Sequence, residues 1–536
     1  MQPLFVLVIA TALSMAIIPV AWRFAPQLGM IDKPDARKVH REAVPRTGGW
    51  GIVLGALVPI VMLLDLDPLI QSYVIASLIL FLFGMWDDSR QITPYAKFFG
   101  QFTAVGVVIY YGGLWIEHAP FMNLQSLSFM MGSALTFFAM VGMINAINTS
   151  DGLDGLAGGE SLLSLVAMSF LAYAAADGTV LVVASAVIGG VLGFLRYNTH
   201  PARVFMGDTG SQFLGFTLAF LAVVLTQRTN TAISPATTLL FLGLQIIDIF
   251  SVMIERAIKR VSPFKAARNH IHHRLLDRGF DHYETVIIIY AIQAALVISA
   301  IFLRYESDAL IVGIYLAVAF GVLGLLTCAE RYGWRAHGHG ERSALTAFIE
   351  QLRNRRILAQ SSYWTVVLAV PVYYLYGVVS IADVPYDFAV VSTGLGILAV
   401  ANLFGGAHAA GLLIRLTTYV AAIFCVYLTS NAAGSGYFDI AVFGMLSLAI
   451  ALSVRFDSRH KFRTTPMDYL IVFGAVAVAI FGERFLETRE LSLLIVKTMI
   501  LLYGCELVID RSVRHVNVHS LSTALFLAAL AGKGFF

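Results

Sequence analysis

Charge is scarce in this chain. Asp, Glu, Lys and Arg make up 13% of its 536 residues, 58% are hydrophobic, and the mean hydropathy is +0.79. A soluble domain cannot bury that much apolar surface, which excludes the soluble classes. Cysteine is nearly absent: Cys328, Cys425 and Cys505 lie apart in apolar segments, without metal-like spacing or an obvious disulfide partner, so buried thiols are expected. The period-2 alternation of an outer-membrane barrel is also missing, leaving helices as the spanning element. No basic residue precedes the first apolar run, MQPLFVLVIATALSMAIIPVAW. That run outlasts a signal-peptide core and predicts an uncleaved first helix. No internal repeat is evident.

What the chain has is long apolar runs. Stretches of about 17 to 22 residues fall near 4–21, 50–64, 68–86, 98–116, 127–147, 161–177, 179–195, 211–227, 237–255, 284–303 and 309–328. A second group begins near 362, 388, 412, 437, 467, 490 and 516. The expected fold is all-α, a polytopic membrane bundle of about eleven helices followed by about seven more. Residues 1–330 read as one membrane core, 331–361, with AHGHGER and RNRR, as a hydrophilic linker, and 362–536 as a multi-helix extension.

A net charge of +3 says little, but its placement orients the chain. Arg23, Lys33, Arg37, Lys38, Arg41 and Arg46 follow the first span, and Arg256, Lys259, Arg260, Lys265, Arg268, Arg274 and Arg278 follow the ninth. Loops of the other parity, around Asp65 to Asp67 and Glu117, are acidic or nearly uncharged. The N-terminus is therefore expected outside, and the basic loops in the cytoplasm. Loops beyond 361 obey the same rule, notably RFDSRHKFR from Arg455, but carry no comparable clusters of carboxylate, amide and histidine.

This orientation gathers four unusual polar stretches on the cytoplasmic side: WDDSRQITPYAK from Trp86, NAINTSDGLDGLAGG from Asn145, RYNTHPARVFMGDTGS from Arg196, and NHIHHRLLDRG from Asn269. An isolated carboxylate at a bilayer centre costs roughly 2.5 to 3.5 kcal/mol, so these groups belong at a membrane surface or in a wet cavity. Asp87, Asp88 and Asp208 are hard oxygen ligands suited to a magnesium-type ion holding phosphate oxygens. A solvated helix end for the pair, and an N-cap for Asp208, are the plainer alternatives. Asn145, Asn148, Asp151 and Asp154 recur every three residues and on a helix would line one face. His270, His272 and His273 beside Arg268 and Arg274 make a cationic clamp suited to pyrophosphate, where a topogenic basic loop would explain the Lys and Arg alone. DGLDGLAGG has neither the GK[ST] ending of a P-loop nor the strand context of a dinucleotide fingerprint, and its glycines suit close backbone approach to a ligand. Together these groups suggest metal-assisted chemistry on a phosphorylated substrate with a lipid partner. A proton-coupled transporter is the rival reading, although carriers place such residues at the bilayer midplane.

The Asp pair near the third helix, NAINTSDGLDGLAGG, NTHPARVFMGDTGS and SPFKAARNHIHHRLLDRG, in this order and preceded by IDKPDARKVHREAVPRTGG from Ile31, closely resemble the bacterial polyprenyl-phosphate N-acetylhexosamine-1-phosphate transferases. The resemblance covers about residues 1–330, and the HIHHRL form is more similar to the N-acetylglucosamine branch than to the phospho-N-acetylmuramoyl-pentapeptide transferases. It implies transfer of a sugar 1-phosphate from a UDP-N-acetylhexosamine to undecaprenyl phosphate, with release of UMP and a need for Mg²⁺ or Mn²⁺. This would initiate a cell-surface polysaccharide at the bacterial inner membrane. By resemblance, Asp87, Asp88 and Asp208 are the catalytic carboxylates, and Asn148 and Asp208 hold the metal on the donor. Asp87 and Asp88 position the lipid phosphate, with Lys97 as its counter-charge. Asn148, Asp151, Asp154 and Asn198, with His270, His272, His273 and Arg274, bind the nucleotide sugar. A phosphate monoester has its second pKa at about 6, so the acceptor is already largely dianionic and needs positioning more than a base. The chain departs from the family at Ala267, where an acidic residue is usual, and beyond residue 330, which the resemblance does not explain. The implied partners are the UDP-sugar, the lipid phosphate and the bilayer, and no nucleic acid; a homodimer and polysaccharide-assembly partners stay open.

Overall fold

The computed structural model describes residues 2–32, 43–122, 126–261, 269–336, 356–404, 410–430, 436–456, 489–511 and 513–535. By internal contacts the chain divides into two compact units, Gln2–Ser343 and Ala344–Phe536, the latter with Met1. Ten of the described helices are long and apolar enough to cross a membrane.

In the first unit, α1 (Gln2–Phe24) leads through a two-residue antiparallel ladder, β1 (Ile31–Asp32) with β2 (Val44–Pro45), into α2 (Gly48–Leu63). An Arg46–Asp32 ion pair closes that ladder. There follow α3 (Pro68–Arg90), α4 (Pro94–Tyr110), α5 (Phe129–Ser150), α6 (Leu156–Ala174), α7 (Gly178–Asn198) and α8 (Gly207–Val224), which runs on into a π turn at Leu225–Thr229. The starts are written locally: Asp67, Thr93, Ser128 and Asp177 accept a backbone N–H three residues on, and Pro68 and Pro94 occupy the first turn. From Thr209 to Val224 every residue of α8 is buried, so α8 is the central post of this unit. Tyr73 of α3 packs among Phe213, Phe216 and Phe220 and meets Thr217 Oγ1 at 2.9 Å.

The ninth expected span is two helices, α9 (Thr237–Phe241) and α10 (Gly243–Ile258). The break is bridged from α12 (His282–Leu303): the Gln293 amide accepts from Leu244 N at 3.1 Å and donates to Phe241 O at 2.9 Å. Ser164 Oγ also donates to Phe241 O, at 2.7 Å. Side chains thereby satisfy backbone groups that an unbroken helix would have paired internally. Between α10 and α12 lies the short α11 (Ile271–Asp277), and α13 (Asp308–Arg331) ends the run.

The second unit contains α14 (Arg356–Ser380), α15 (Tyr386–Phe404), α16 (Ala410–Ser430), α17 (Gly436–Phe456), α18 (Arg489–Arg511) and α19 (Val513–Phe535). In its core Glu506 accepts from Arg415 at 3.0 and 3.1 Å and from Tyr419. The span expected near 467 lies outside the described residues, as do Ala267, Lys265, Arg268 and positions 337–355 of the expected linker.

Candidate active site

Four helix ends of the first unit meet in a carboxylate centre. Asp87 and Asp88 close α3, Lys97 stands in the first turn of α4, Asn148 lies in the last turn of α5, and Asp208 is the second residue of α8. The turn from α3 to α4 is tied by Asp87 Oδ1, which accepts from Ile92 N at 2.8 Å. Its other oxygen faces Lys97 Nζ at 3.0 Å, and the same ammonium pairs with Asp208 Oδ2. Asn148 Nδ2 donates to Asp208 Oδ1 and, at 2.8 Å, to Ser211 Oγ. Asp87, Lys97 and Asp208 keep 15, 20 and 19% of their side chains exposed, so a ligand can reach them.

Asp88 is different. It is 5% exposed, and both oxygens are taken: Oδ1 accepts from Asp208 N at 2.8 Å, and Oδ2 from Thr209 N at 3.0 Å and Thr209 Oγ1 at 2.6 Å. The plainer expectation for Asp208, an N-cap, is thus replaced. Met206 occupies the cap position without a side-chain bond, and the cap is delivered from α3 by Asp88. Gly207 makes this possible, since its φ is +67° and a Cβ there would sit 2.6 Å from the Asp88 carboxylate.

One turn deeper lies a layer of amides. Asn145 Nδ2 donates to Gln101 Oε1 at 2.9 Å, and Gln101 Nε2 donates to Gln212 Oε1 at 3.3 Å. The ladder ties α5, α4 and α8 together beneath Asn148, Lys97 and Asp208, in the same order.

The wall expected along one helix face is split. α5 ends at Ser150, so Asn145 and Asn148 are helical while Asp151 is the C-cap and Asp154 lies in the turn before α6. Burial first, then the charges of Asp88 and Asp154, push the Asp151 carboxyl up to about 7. Burial also opposes ionisation of Asp154, but the hydrogen bond and charge of His200, the charge of His282 and the Ala202 N–H hold it below its ordinary value. His200 Nδ1 lies 2.7 Å from Asp154 Oδ2, His282 Nε2 meets the Asp154 carbonyl at 3.1 Å, and the two rings stack at 4.0 Å. Asp154, His200 and His282 each bring a donor atom within 4.8 Å of the others. Asn198, buried, accepts from Gly155 N at 2.9 Å and donates to Val204 O at 2.9 Å, so it shapes the turn from behind.

The histidine motif packs against this turn. A Cβ on Gly152 would lie 2.3 Å from His272 Nε2. Burial foremost, then the neighbouring His273, drives His272 down to about 3; it is neutral at physiological pH and adds no positive charge to the expected clamp. The His273 ring centroid lies 4.2 Å from that of His272, the planes tilted by 47°. Arg274 turns to α13, where it pairs with Glu330 at 2.7 and 3.1 Å and with Thr327 at 3.1 Å. His270 is held by a residue that the sequence reading missed, Asp248 of α10: Oδ2 lies 2.7 Å from His270 Nδ1, and Oδ1 accepts from Ile271 N at 2.7 Å. Its signal was a carboxylate within an apolar helix, in QIIDIFS. A small pocket beside it is lined by Ser150, Glu160, Leu244, Asp248, Ile271 and His272, among others.

The family model "Glycosyl transferase family 4" matches residues 70–226, from α3 to the start of the π turn. A Bacillus subtilis protein described as a probable undecaprenyl-phosphate N-acetylglucosaminyl 1-phosphate transferase is 34% identical over 291 residues, 54% of this chain and 81% of the relative. This chain belongs to glycosyl transferase family 4. Proteins of Yersinia pestis and Escherichia coli K12, each described as an undecaprenyl-phosphate alpha-N-acetylglucosaminyl 1-phosphate transferase, are 29% identical over 283 and 286 residues. Each match covers 52% of this chain and 77% of the relative. The family segment includes Asp87, Asp88, Lys97, Asn148, Asp151, Asp154, Asn198 and Asp208; the histidine motif lies beyond it.

Proposed function

We propose that this protein transfers N-acetylhexosamine 1-phosphate, with N-acetylglucosamine 1-phosphate the first choice, from a UDP-sugar to undecaprenyl phosphate. A phosphate oxygen of the lipid attacks the sugar-bearing phosphorus of the donor. The bond to the bridging oxygen breaks, and UMP leaves. The observation that carries this reading is the convergence of Asp87, Lys97, Asn148 and Asp208 at one end of apolar helices, where a lipid phosphate and a soluble nucleotide can meet. The printed descriptions of the relatives support the acceptor and the sugar.

The donor set fits a hard divalent cation. Oxygens of Asp87 and Asp208 already converge on one cation, the Lys97 ammonium, and an all-oxygen environment suits Mg²⁺ or Mn²⁺. Asp208 and Asn148 would hold such an ion, with Asp87 beside them, and its chemistry there is neutralisation of charge on the donor pyrophosphate. Lys97 would meet the acceptor phosphate. Asp87 fixes Lys97 and the α3–α4 turn, while Asp88 keeps Asp208 at its address. Asp151, Asp154, Asn198 and the histidines form the nucleotide-sugar side. The dianionic acceptor needs no base, so alignment and charge placement account for the catalysis.

The setting we infer is the bacterial inner membrane, with the site facing the cytoplasm and the N-terminus outside. The reaction would be the initiating step of a cell-surface polysaccharide. Membranes supplied with labelled UDP-N-acetylglucosamine test the reading: organic-extractable label with released UMP supports it, and flux of label without either product refutes it in favour of a carrier.

A further inference from the structure

We infer that Asp248 is the positioning residue of the histidine motif, fixing the tautomer and orientation of His270. Its kinetic arm rests on the transferase reading above; its structural arm does not. Asp248 and His270 are 5 and 8% exposed, so bulk water does not compete for the bond between them. A carboxylate only accepts. The 2.7 Å contact therefore places the proton of His270 on Nδ1 and leaves Nε2 as the nitrogen presented to a ligand. The second carboxylate oxygen holds the main chain at Ile271, and His270 makes no side-chain cap of its own for α11. One side chain thus sets both the ring and the backbone from which His272 and His273 project.

Two further observations place Asp248 by design of the fold. The α9–α10 break, bridged by Gln293, falls six residues before Asp248. Of the neighbouring titratable groups, Glu160 of α6 and His272 of α11 share the pocket, Tyr290 of α12 is engaged with Gly155 O at 2.6 Å, and Asp248 is the carboxylate at hydrogen-bond distance from His270 Nδ1. Either contact alone could be served by any acceptor oxygen, whereas accepting from both the ring and Ile271 N takes the two acceptor oxygens of a carboxylate.

Asp248→Asn separates the two roles. Its Oδ1 can still accept from Ile271 N, but its amide donates toward His270 Nδ1 and drives the ring proton to Nε2. Reconstituted full-length protein labelled with ¹⁵N-histidine reads this directly, His270 being identified by its loss in His270→Gln. The native ring is expected as Nδ1–H and the Asp248→Asn ring as Nε2–H. With UDP-N-acetylglucosamine, kcat/KM for the donor is expected to fall by about tenfold or more, the KM for lipid phosphate to stay unchanged, and Asp248→Glu to recover part of the loss. An unchanged tautomer in Asp248→Asn overturns the inference, as does donor kcat/KM within about twofold of native. If the native protein transfers no sugar phosphate, the proposed function fails, while the tautomer comparison still decides the Asp248–His270 relationship.

Discussion

Asp88 caps a helix that is not its own: from the end of α3 its Oδ2 takes both the N–H and the hydroxyl of Thr209, at 3.0 and 2.6 Å, in the first turn of α8. The neighbouring Asp87 keeps an oxygen for Lys97. Two adjacent carboxylates therefore do different work. Asp88→Asn turns an amide donor against donors and is expected to lose about 1–3 kcal/mol of stability, seen as a lowered unfolding temperature together with lost turnover. Asp87→Asn keeps the acceptor for Ile92 N and is expected to unfold as native does, while turnover falls by about 10²-fold or more.

Lys97 holds Asp87 and Asp208 together. Lys97→Met leaves these carboxylates without their counter-charge, so turnover is expected to fall about 10²-fold or more. Mn²⁺ binding, followed by electron paramagnetic resonance, is expected to persist or tighten. In Asp208→Asn the Mn²⁺ signal change is expected to disappear. Weaker Mn²⁺ binding in Lys97→Met would contradict the assignment of these oxygens to a cation.

The Asp151 carboxyl, raised to about 7 by burial and its acidic neighbours, makes the ligand-free protein pH-sensitive. Because the folded state holds this proton more tightly than the unfolded chain, its contribution is full below about pH 4 and is lost as pH rises through about 7. Asp151→Asn is expected to raise the unfolding temperature at pH 8 relative to native and to lose that advantage at pH 4. His272, depressed to about 3, acts in the opposite sense: its contribution is full above about 6.5 and is lost as pH falls toward 3. Thermal unfolding across this range in native, Asp151→Asn and His272→Gln proteins separates the two.

Every candidate residue lies in the unit Gln2–Ser343. A chain ending at Ser343 is expected to retain transferase turnover within about tenfold of full length. Complete loss with a cooperatively unfolding product would show that the second unit completes the site.

The spans were legible because bilayer thickness dictates the length of an apolar run, and the caps because Asp67, Thr93, Ser128 and Asp177 act within three residues. The grouping of Asp87, Lys97, Asn148 and Asp208 was legible too, since alternating topology brings odd and even helix ends to one face. What could not be read depends on partners far along the chain. The break at Leu242 needs Gln293, the occupation of Asp88 needs Thr209, and the orientation of His270 needs Asp248. Arg274 read as part of a clamp because nothing near it in the sequence points to Glu330. The regular spacing of Asn145, Asn148, Asp151 and Asp154 suggested a single helix face, but a glycine-rich turn begins after Ser150 and gives the two aspartates different environments.

The central claim is that Asp208 and its partners transfer a sugar phosphate between a nucleotide and a lipid. The most direct measurement reconstitutes native and Asp208→Asn full-length protein with undecaprenyl phosphate, Mg²⁺ and doubly labelled UDP-N-acetylglucosamine, counting lipid-linked label and UMP together. Equal amounts of both from the native protein, and neither from Asp208→Asn at any pH or magnesium concentration, are the predicted result. Substantial transfer by Asp208→Asn at saturating magnesium, or no lipid-linked product from the native protein with any UDP-N-acetylhexosamine, would contradict it.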